Sequence, residues 1–597
     1  MSSHGAFNMQ PFDEISTTEL GFEDDVLVSH STMLMQQQHR QQEPRYPIPK
    51  WMRPAAGSRA SSTLASICHR SIPLLRGWVG RGLPPLLSLL RPRLTIRYVL
   101  FAVAALWVSY RILSSQPLLA SKLPGYTGPY EVGALDIEVP LETPRRVSDI
   151  RFKADGKYAF EVETVLFTLY YPAQHGAAAG TRAGEGYYWL PKPISATARG
   201  YARAMGMDNF LVRGVLAGGL WLAAGAIQIP ARVGAPLLSA DAMGDYGDQV
   251  GDGRLPVMVF THGMMSSRTD YTSYISELAS RGVVVAAIEH RDGSSPASPI
   301  IRDPDGPPDW RYYFGLKHLD PDSHQAPGPP EGKVLDGPAL KEAQLSFREA
   351  EIEAAVDVLR ALDSGSAPLN NVRQRPGHAD TGVFGARLDT QNVTIAGHSY
   401  GGTGALRALR SGPSPSRPFT GAVVLDPGKS SGPLNADVRV PVVVCHSSSW
   451  SRPGPSLFFG RPHFEVVREL VDGINGICAS REEAGSDGDG NQECREKGWF
   501  LTSLGTSHPS ITDAPVLEPL LLSWTTGSTM DARQGIRQYV LLTRDFVRYQ
   551  HTGELAGLLS LSGPEADNVV SREYDPKHNE GMPEQWRQYW QIHAAPS

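Results

Sequence analysis

The stretch Val393-Thr-Ile-Ala-Gly397-His398-Ser399-Tyr400-Gly401-Gly402 decides how this chain folds. A β-branched, apolar run enters Gly-His-Ser-Tyr-Gly, and small residues suited to a helix follow from Thr403 to Arg410. That order predicts strand, sharp turn, helix. The G-x-S-x-G pattern sets a serine on a strained elbow, and its glycines let strand and helix approach closely. Ser399 is therefore the expected nucleophile. A glycine-rich turn matches five positions by chance often enough, but here strand and helix signals flank it on both sides.

Reading outward, the same alternation recurs. Val162–Tyr171 reads as a strand, Leu255–Thr261 as a buried strand followed by His262-Gly263-Met264, then a helix over Tyr271–Arg281 and a strand over Val283–Ile288. A Pro/Gly/Asp-rich loop, 292–338, leads to a helix over Leu340–Leu362, where Ile352, Ala355, Val356, Leu359 and Leu362 share one face. After the elbow come strands at Ala422–Leu425, Val440–Cys445 and Trp499–Leu504, a polar insertion at 479–497, and helices over Pro515–Trp524 and Gln534–Gln550. Strands alternating with helices predict a parallel sheet covered on both faces. The fold class expected is α/β, an α/β-hydrolase with a mostly parallel central sheet, its catalytic domain over 125–560 and a tail at 561–597.

A serine hydroxyl near neutral pH needs an imidazole to take its proton and a carboxylate to hold that imidazole's tautomer. In this fold the acid and then the base follow the serine along the chain. Asp426 ends Val423-Val-Leu-Asp-Pro-Gly, whereas residues 446–464 contain no acid and Asp437 precedes its strand. Asp426 is the expected acid, against the plainer role of capping the Pro-Gly turn. His508 follows the last strand run, while His446 and His463 come too early and His551 lies beyond the terminal helix. A lone histidine is more often structural, but His508 stands where the chemistry requires a base. The oxyanion donors expected are the backbone N–H groups of Tyr400 and Met264.

The bulk composition bounds the rest. With 597 residues and a net charge of −6 the chain has no basic excess, no zinc-like Cys/His spacing and no phosphate-binding glycine loop, which speaks against a nucleic-acid partner. No metal or other cofactor is called for, because an activated hydroxyl replaces metal-bound water. Four cysteines are too few for a disulfide scaffold, although Cys478 and Cys494 bracket a polar acidic loop and could pair in an oxidising compartment. Residues 1–70 read as disordered, without an ordinary cleavable signal peptide. Within 94–119, thirteen residues between Arg97 and Arg111 extend on both sides into an expected single membrane anchor, with arginines before it keeping the N-terminus cytosolic. The competing reading is a buried or interfacial helix. Gly214–Ala231, eighteen uncharged residues, suits a lid or interfacial helix that offers Leu216, Leu220, Trp221 and Leu222 to lipid; ordinary core packing competes.

With these residues placed, the chain resembles the plasma-type platelet-activating factor acetylhydrolases. Phe260-Thr-His-Gly-Met-Met-Ser-Ser-Arg268-Thr-Asp-Tyr271 is similar to that family's oxyanion segment, and Val285-Ala-Ala-Ile-Glu289-His290-Arg291-Asp292 to its Val-Ala-Ala-Val-Glu-His-Arg-Asp. Gly397–Gly402 resembles its elbow, Leu425-Asp426 its acid strand, and Gly505-Thr-Ser-His508 its histidine loop. The resemblance implies an α/β-hydrolase with Ser399, Asp426 and His508 as triad, acting on phospholipids with short or oxidised sn-2 chains. It also implies that Phe210–Ile229, with Phe210 and Leu211 beside the residues named above, docks on a lipid surface. The chain departs from the family in its long polar N-terminus, in the Pro-Gly after Asp426 and in the lengths of 292–338 and 479–497. The expectation is a membrane-associated serine esterase, with a broader carboxylesterase or polyester hydrolase, or a catalytically silent lipid-binding relative, as alternatives.

Overall fold

Short β-branched runs, too apolar to face water, alternate with amphipathic helices, and the computed structural model assembles them into one ten-stranded sheet. The structure describes residues 95–114, 117–176, 187–243, 253–303, 306–323, 335–366, 381–453, 460–485, 496–563 and 568–596. Its strands are β1 (Glu131–Arg146), β2 (Glu161–Ala173), β3 (Arg232–Val233), β4 (Leu255–Thr261), β5 (Val284–Ile288), β6 (Ala297–Ile300), β7 (Asp309–Tyr312), β8 (Leu388–His398), β9 (Phe419–Leu425), β10 (Val442–Ser447), β11 (Gly498–Ser503) and β12 (Trp590–Ala594). The sheet order is β12-β11-β10-β9-β8-β4-β5-β2-β1-β3, and β6 pairs with β7 apart from it. Neighbours from β11 through β5 are all parallel, while β12 at one edge and β2 and β1 towards the other pair antiparallel. This is the mixed, mostly parallel α/β layout of the α/β-hydrolases.

The helices are α1 (Ile96–Leu113), α2 (Ile194–Ala204), α3 (Phe210–Ala224), α4 (Thr272–Ala279), α5 (Gly337–Asp363), α6 (Tyr400–Ala408), α7 (Ser448–Ser451), α8 (His463–Gly485), α9 (Ala514–Leu517), α10 (Pro519–Thr526), α11 (Ala532–Thr552) and α12 (Glu584–Arg587). Side chains alternate across a strand, so the sheet feeds two cores. Val285, Ala287, Val423 and Val443 pack with Ile275 and Leu278 of α4 and with Val540 and Phe546 of α11. Val284, Ala286, Val424 and Val442 pack on the opposite face with Ile352 and Leu359 of α5, Leu406 of α6 and Val471 of α8. Helix ends follow local chemistry: Asp336 accepts from Ala339 N–H to cap α5, Asp531 from Gln534 N–H to cap α11, and Gly553 closes α11 in the left-handed region.

The structure corrects several expectations. The loop 292–338 contains the β6–β7 hairpin. The single helix over Pro515–Trp524 is two, α9 and α10, because Pro519 lacks the N–H needed to continue the first. The first part of the 479–497 insertion continues α8 as far as Gly485. The residues read as a C-terminal tail supply β12, buried throughout and paired with β11. Its Gln591 and His593 hid it from hydropathy; they are buried because Asp575 O accepts from Gln591 and His593 bonds Thr502 Oγ1 and Ser571 O.

The chain divides into two units, one of Leu27–Leu118 and one, of Met1–Val26 and Leu119–Ser597, that carries the sheet. In the first, a helix does form within 94–119, but no helix among the described residues is long and apolar enough to cross a membrane. Eighteen residues rise about 27 Å, short of the ~30 Å hydrocarbon layer, and Arg97 and Arg111 both fall inside the helix. The expected membrane-spanning anchor is therefore not met. The N-terminal region read as disordered lies outside the described residues. Cys445 is a buried free thiol and Cys478 is disulfide-bonded, so the partner of Cys478 also lies outside them.

Candidate active site

The elbow forms because two backbones must nearly touch. A Cβ on Gly397 would stand 2.3 Å from Gly401 O, and one on Gly401 would stand 2.0 Å from Thr261 O. Only glycine allows β8, α6 and the end of β4 to meet there. Ser399 itself holds φ 55° and ψ −124°, a costly conformation for an L-residue. Its N–H donates to Leu425 O and its carbonyl accepts from Gly402, Thr403 and Gly428 N–H, bonds that fix the strain from both sides.

The ends of β9 and β11 deliver the partners. β9, beside β8, ends one residue before Asp426, whose φ of 44° turns the chain sharply. Asp426 Oδ1 accepts from Ser447 N–H at 2.5 Å, and Oδ2 accepts from Ser447 Oγ at 2.7 Å. His508, in the loop after β11, bonds that same Oδ2 through Nδ1 at 2.9 Å, and its own N–H donates to Ser449 Oγ. The structure thus brings Asp426 and His508 together at the end of the sheet where β8 delivers Ser399. Ser399 Oγ and His508 Nε2 are not hydrogen-bonded to each other; such bonds commonly tighten only with substrate in place. Asp437, the acid set aside from sequence, binds Arg439 and Ser411 N–H on the surface. His551 pairs with Asp389, far along the sheet from this site.

On the other side of β8, β4 ends in His262-Gly263-Met264. A Cβ on Gly263 would lie 3.1 Å from Ser399 Cβ, so this loop abuts the serine. His262 Nδ1 bonds Gly263 O, and its Nε2 accepts from His290 N–H, a pattern that needs the neutral ring. Burial, aided by the Arg348 charge, supplies it by pushing His262 down to about 4. Tyr271 Oη accepts from Gly263 N–H and bonds His398 Nδ1. Tyr400 opens α6, at the helix end towards which the backbone N–H groups point.

The Glu289-His290-Arg291-Asp292 segment does not reach the serine. It is buried in a network of ion pairs, Glu289 with Arg268, Arg291 with Glu138 and Asp292 with Arg348, which also donates to His262 O, and His290, kept neutral by burial, hydrogen-bonds Glu351. Its work is to hold the loops after β4 and β5 together, including the Met265 N–H bond to Ser294 O.

Sequence reasoning missed Trp450. Its indole stacks on the His508 ring, centroids 3.9 Å apart and planes 11° apart, while the Lys429 ammonium lies 4.3 Å over the ring centroid. Its Nε1–H donates to Pro427 O, next to Asp426. The one available signal was a tryptophan in the acid-free run 446–464, with serines at 447 and 449 that bond the acid and the base. Among the described residues one donor set has the spacing of a metal site, His398, Asp426 and His508, with one atom of each within 4.8 Å of the others. Here both Asp426 oxygens and His508 Nδ1 are already joined and His398 Nδ1 is held by Tyr271, while each of the two rings keeps its Nε2.

A family model described as platelet-activating factor acetylhydrolase, isoform II, matches residues 117–454, more than half of the chain. The chain belongs to that family. Among its relatives, the platelet-activating factor acetylhydrolase of Canis lupus familiaris is 26% identical over 50% of this chain and 54% of its own length. The Cavia porcellus protein of the same name is 24% identical over 62% and 68%. A Schizosaccharomyces pombe protein named "Putative phospholipase A2" is 25% identical over 73% of this chain and 94% of its own. The match thus spans about half the length of the dog relative. Among solved structures, a ferulic acid esterase from Streptomyces cinnamoneus covers 73% of this chain and 95% of its own at 18% identity, with a TM-score of 0.38. The family match takes in the His262-Gly263-Met264 loop, Ser399, Asp426 and Trp450 but stops before His508.

Proposed function

We propose that this family member is a serine esterase that cleaves the sn-2 acetyl or short, oxidised acyl ester of platelet-activating-factor-like glycerophospholipids. The observation that carries the reading is the 2.9 Å bond between His508 Nδ1 and a fully engaged Asp426, set beside a serine held on a strained elbow. Ser399 Oγ attacks the ester carbonyl as His508 Nε2 takes its proton, and Asp426 orients the ring and stabilises the imidazolium. The Tyr400 and Met264 N–H groups receive the oxyanion. His508 then returns the proton to the glyceryl oxygen as it leaves, and a water activated by the same ring releases the acyl group.

The lipid surface is met by α3. Phe210, Leu211 and Trp221 are 87%, 63% and 59% exposed, Leu222 is exposed, and Leu216 and Leu220 are half-buried. Only Ala224 of this helix is buried and Leu220 packs beside it on the core, so core packing does not account for Phe210, Leu211, Trp221 and Leu222. An apolar helix left uncovered on an enzyme for water-insoluble esters suits shallow insertion into an interface. The names of the mammalian and fission-yeast relatives support the choice of phospholipid.

The test is hydrolysis of phosphatidylcholines graded by sn-2 chain length, beside Ser399→Ala and fluorophosphonate labelling. Cleavage of acetyl and short-acyl lipids, with labelling lost in the alanine variant, is expected. Hydrolysis of simple esters but not of these lipids would favour a broader carboxylesterase, and absence of labelling would favour a silent scaffold.

A further inference from the structure

A cavity of about 290 Å³ lies away from Ser399, between α4, α11 and the segment that precedes β1. That segment is tied down on both sides, by Ser121 N–H to Leu517 O and by Thr127 N–H to Glu277, and Pro124–Thr127 line the space between. The deep walls are apolar: Val516, Ile536 and Val540, each almost wholly buried. The buried Ser273 side chain also lines it, with no hydrogen bond from its Oγ.

The charges lining the cavity are unbalanced. Glu277 is answered by Arg281 and Asp531 is engaged in capping α11. Arg533 and Arg537, one turn apart on α11, line the same cavity, and among the described residues neither is in an ion pair. Two planar guanidinium groups beside an apolar slot match an anionic head on a short hydrocarbon chain. The volume is at the lower edge of the roughly 300–1,000 Å³ usual for ligand pockets, which favours one chain over two.

The geometry points to a second ligand site here, for a single-chain amphiphilic anion such as a short fatty carboxylate. The esterase reading bears on it only as a source of that ligand, since ester cleavage releases a carboxylate of this class. An occupant would rest on α4, whose first turn is capped by Asp513, five residues beyond His508, through Thr272 and Ser273 N–H.

The test is calorimetric titration of the full chain carrying Ser399→Ala with octanoate, octyl phosphate, inorganic phosphate and octyltrimethylammonium. Octanoate and octyl phosphate are expected to bind, the cation and inorganic phosphate at least tenfold more weakly. Arg533→Ala with Arg537→Ala, both exposed, should weaken octanoate about tenfold, and Arg537→Glu alone should do likewise. Equal binding of the cation, equal binding of inorganic phosphate, or an unchanged affinity in both arginine variants would overturn the site. Because binding is read without turnover, its failure leaves the esterase reading standing, and a chain that binds without hydrolysing lipid leaves the site standing.

Discussion

Replacing Trp450 by alanine removes the flat surface on which His508 rests. The stack, at 3.9 Å and 11°, is an aromatic contact worth about 0.5–1.5 kcal/mol. When His508 carries the serine proton in the transition state the ring is a cation, and a desolvated cation–π contact adds up to about 2 kcal/mol. The stack is present before and after protonation, so only the cation–π gain of about 1–2 kcal/mol enters the rate; with each 1.36 kcal/mol a factor of ten, kcat should fall roughly 5- to 30-fold with KM little changed. Trp450 is also buried, and truncating a buried tryptophan costs about 3–5 kcal/mol of stability. The assay therefore pairs initial rates on a short-acyl phospholipid, normalised to fluorophosphonate-reactive serine, with thermal melting of the same samples. Trp450→Phe keeps a ring over His508 but loses the Nε1–H bond to Pro427 O, and should recover most of the rate. If the alanine variant, still folded, turns over within twofold of the parent, or if phenylalanine restores stability without rate, the stack does not position the base.

Three further outcomes follow from particular contacts. Gly401→Ala places a methyl 2.0 Å from Thr261 O, so it should destabilise by more than the ~1–3 kcal/mol typical of overpacking and abolish serine labelling, while Gly404→Ala, with its nearest neighbour 3.8 Å away, should melt no lower than the parent. Burial pushes Asp270 up to about 7 against the donors Ser266 Oγ and Ser267 N–H. A folded-state value above the unfolded ~3.9 means that the folded chain holds this proton longer. Its contribution to stability is full below about pH 4 and is lost as pH rises through 7, by up to about 4 kcal/mol, or half that for a half-buried side chain. The melting temperature should therefore decline from pH 5 to 7.5, and Asp270→Asn should flatten that slope; an unchanged slope refutes the assignment. Phe210→Ala with Trp221→Ala should weaken binding to phosphatidylcholine vesicles at least tenfold, since burying one such side chain contributes roughly 1.5–3 kcal/mol, and the turnover of a water-soluble ester should not change.

Much of the site was legible because its signals are local. The elbow needs glycine where backbones meet, and Gly397 and Gly401 stand two residues on either side of Ser399; strand ends, elimination and chain order then pointed to Asp426 after β9 and His508 after β11. The βα alternation likewise shows the parallel sheet, because buried parallel strands must be continuous apolar runs. What lay hidden depends on partners far along the chain. β12 is polar at Gln591 and His593 and becomes a buried strand only once Asp575, Thr502 and Ser571 satisfy those groups. The Glu289–Asp292 segment marks the family in sequence, yet only the tertiary structure shows that it braces loops and does not touch the serine. By itself, then, the sequence determined the elbow, the chain order of the candidate acid and base, and the parallel core, each a consequence of backbone sterics or of period. The stacking of Trp450 on His508, the burial of the ionic network and the exposure of α3 were decided by tertiary structure, because each is set by which distant side chains come to share the same few ångströms.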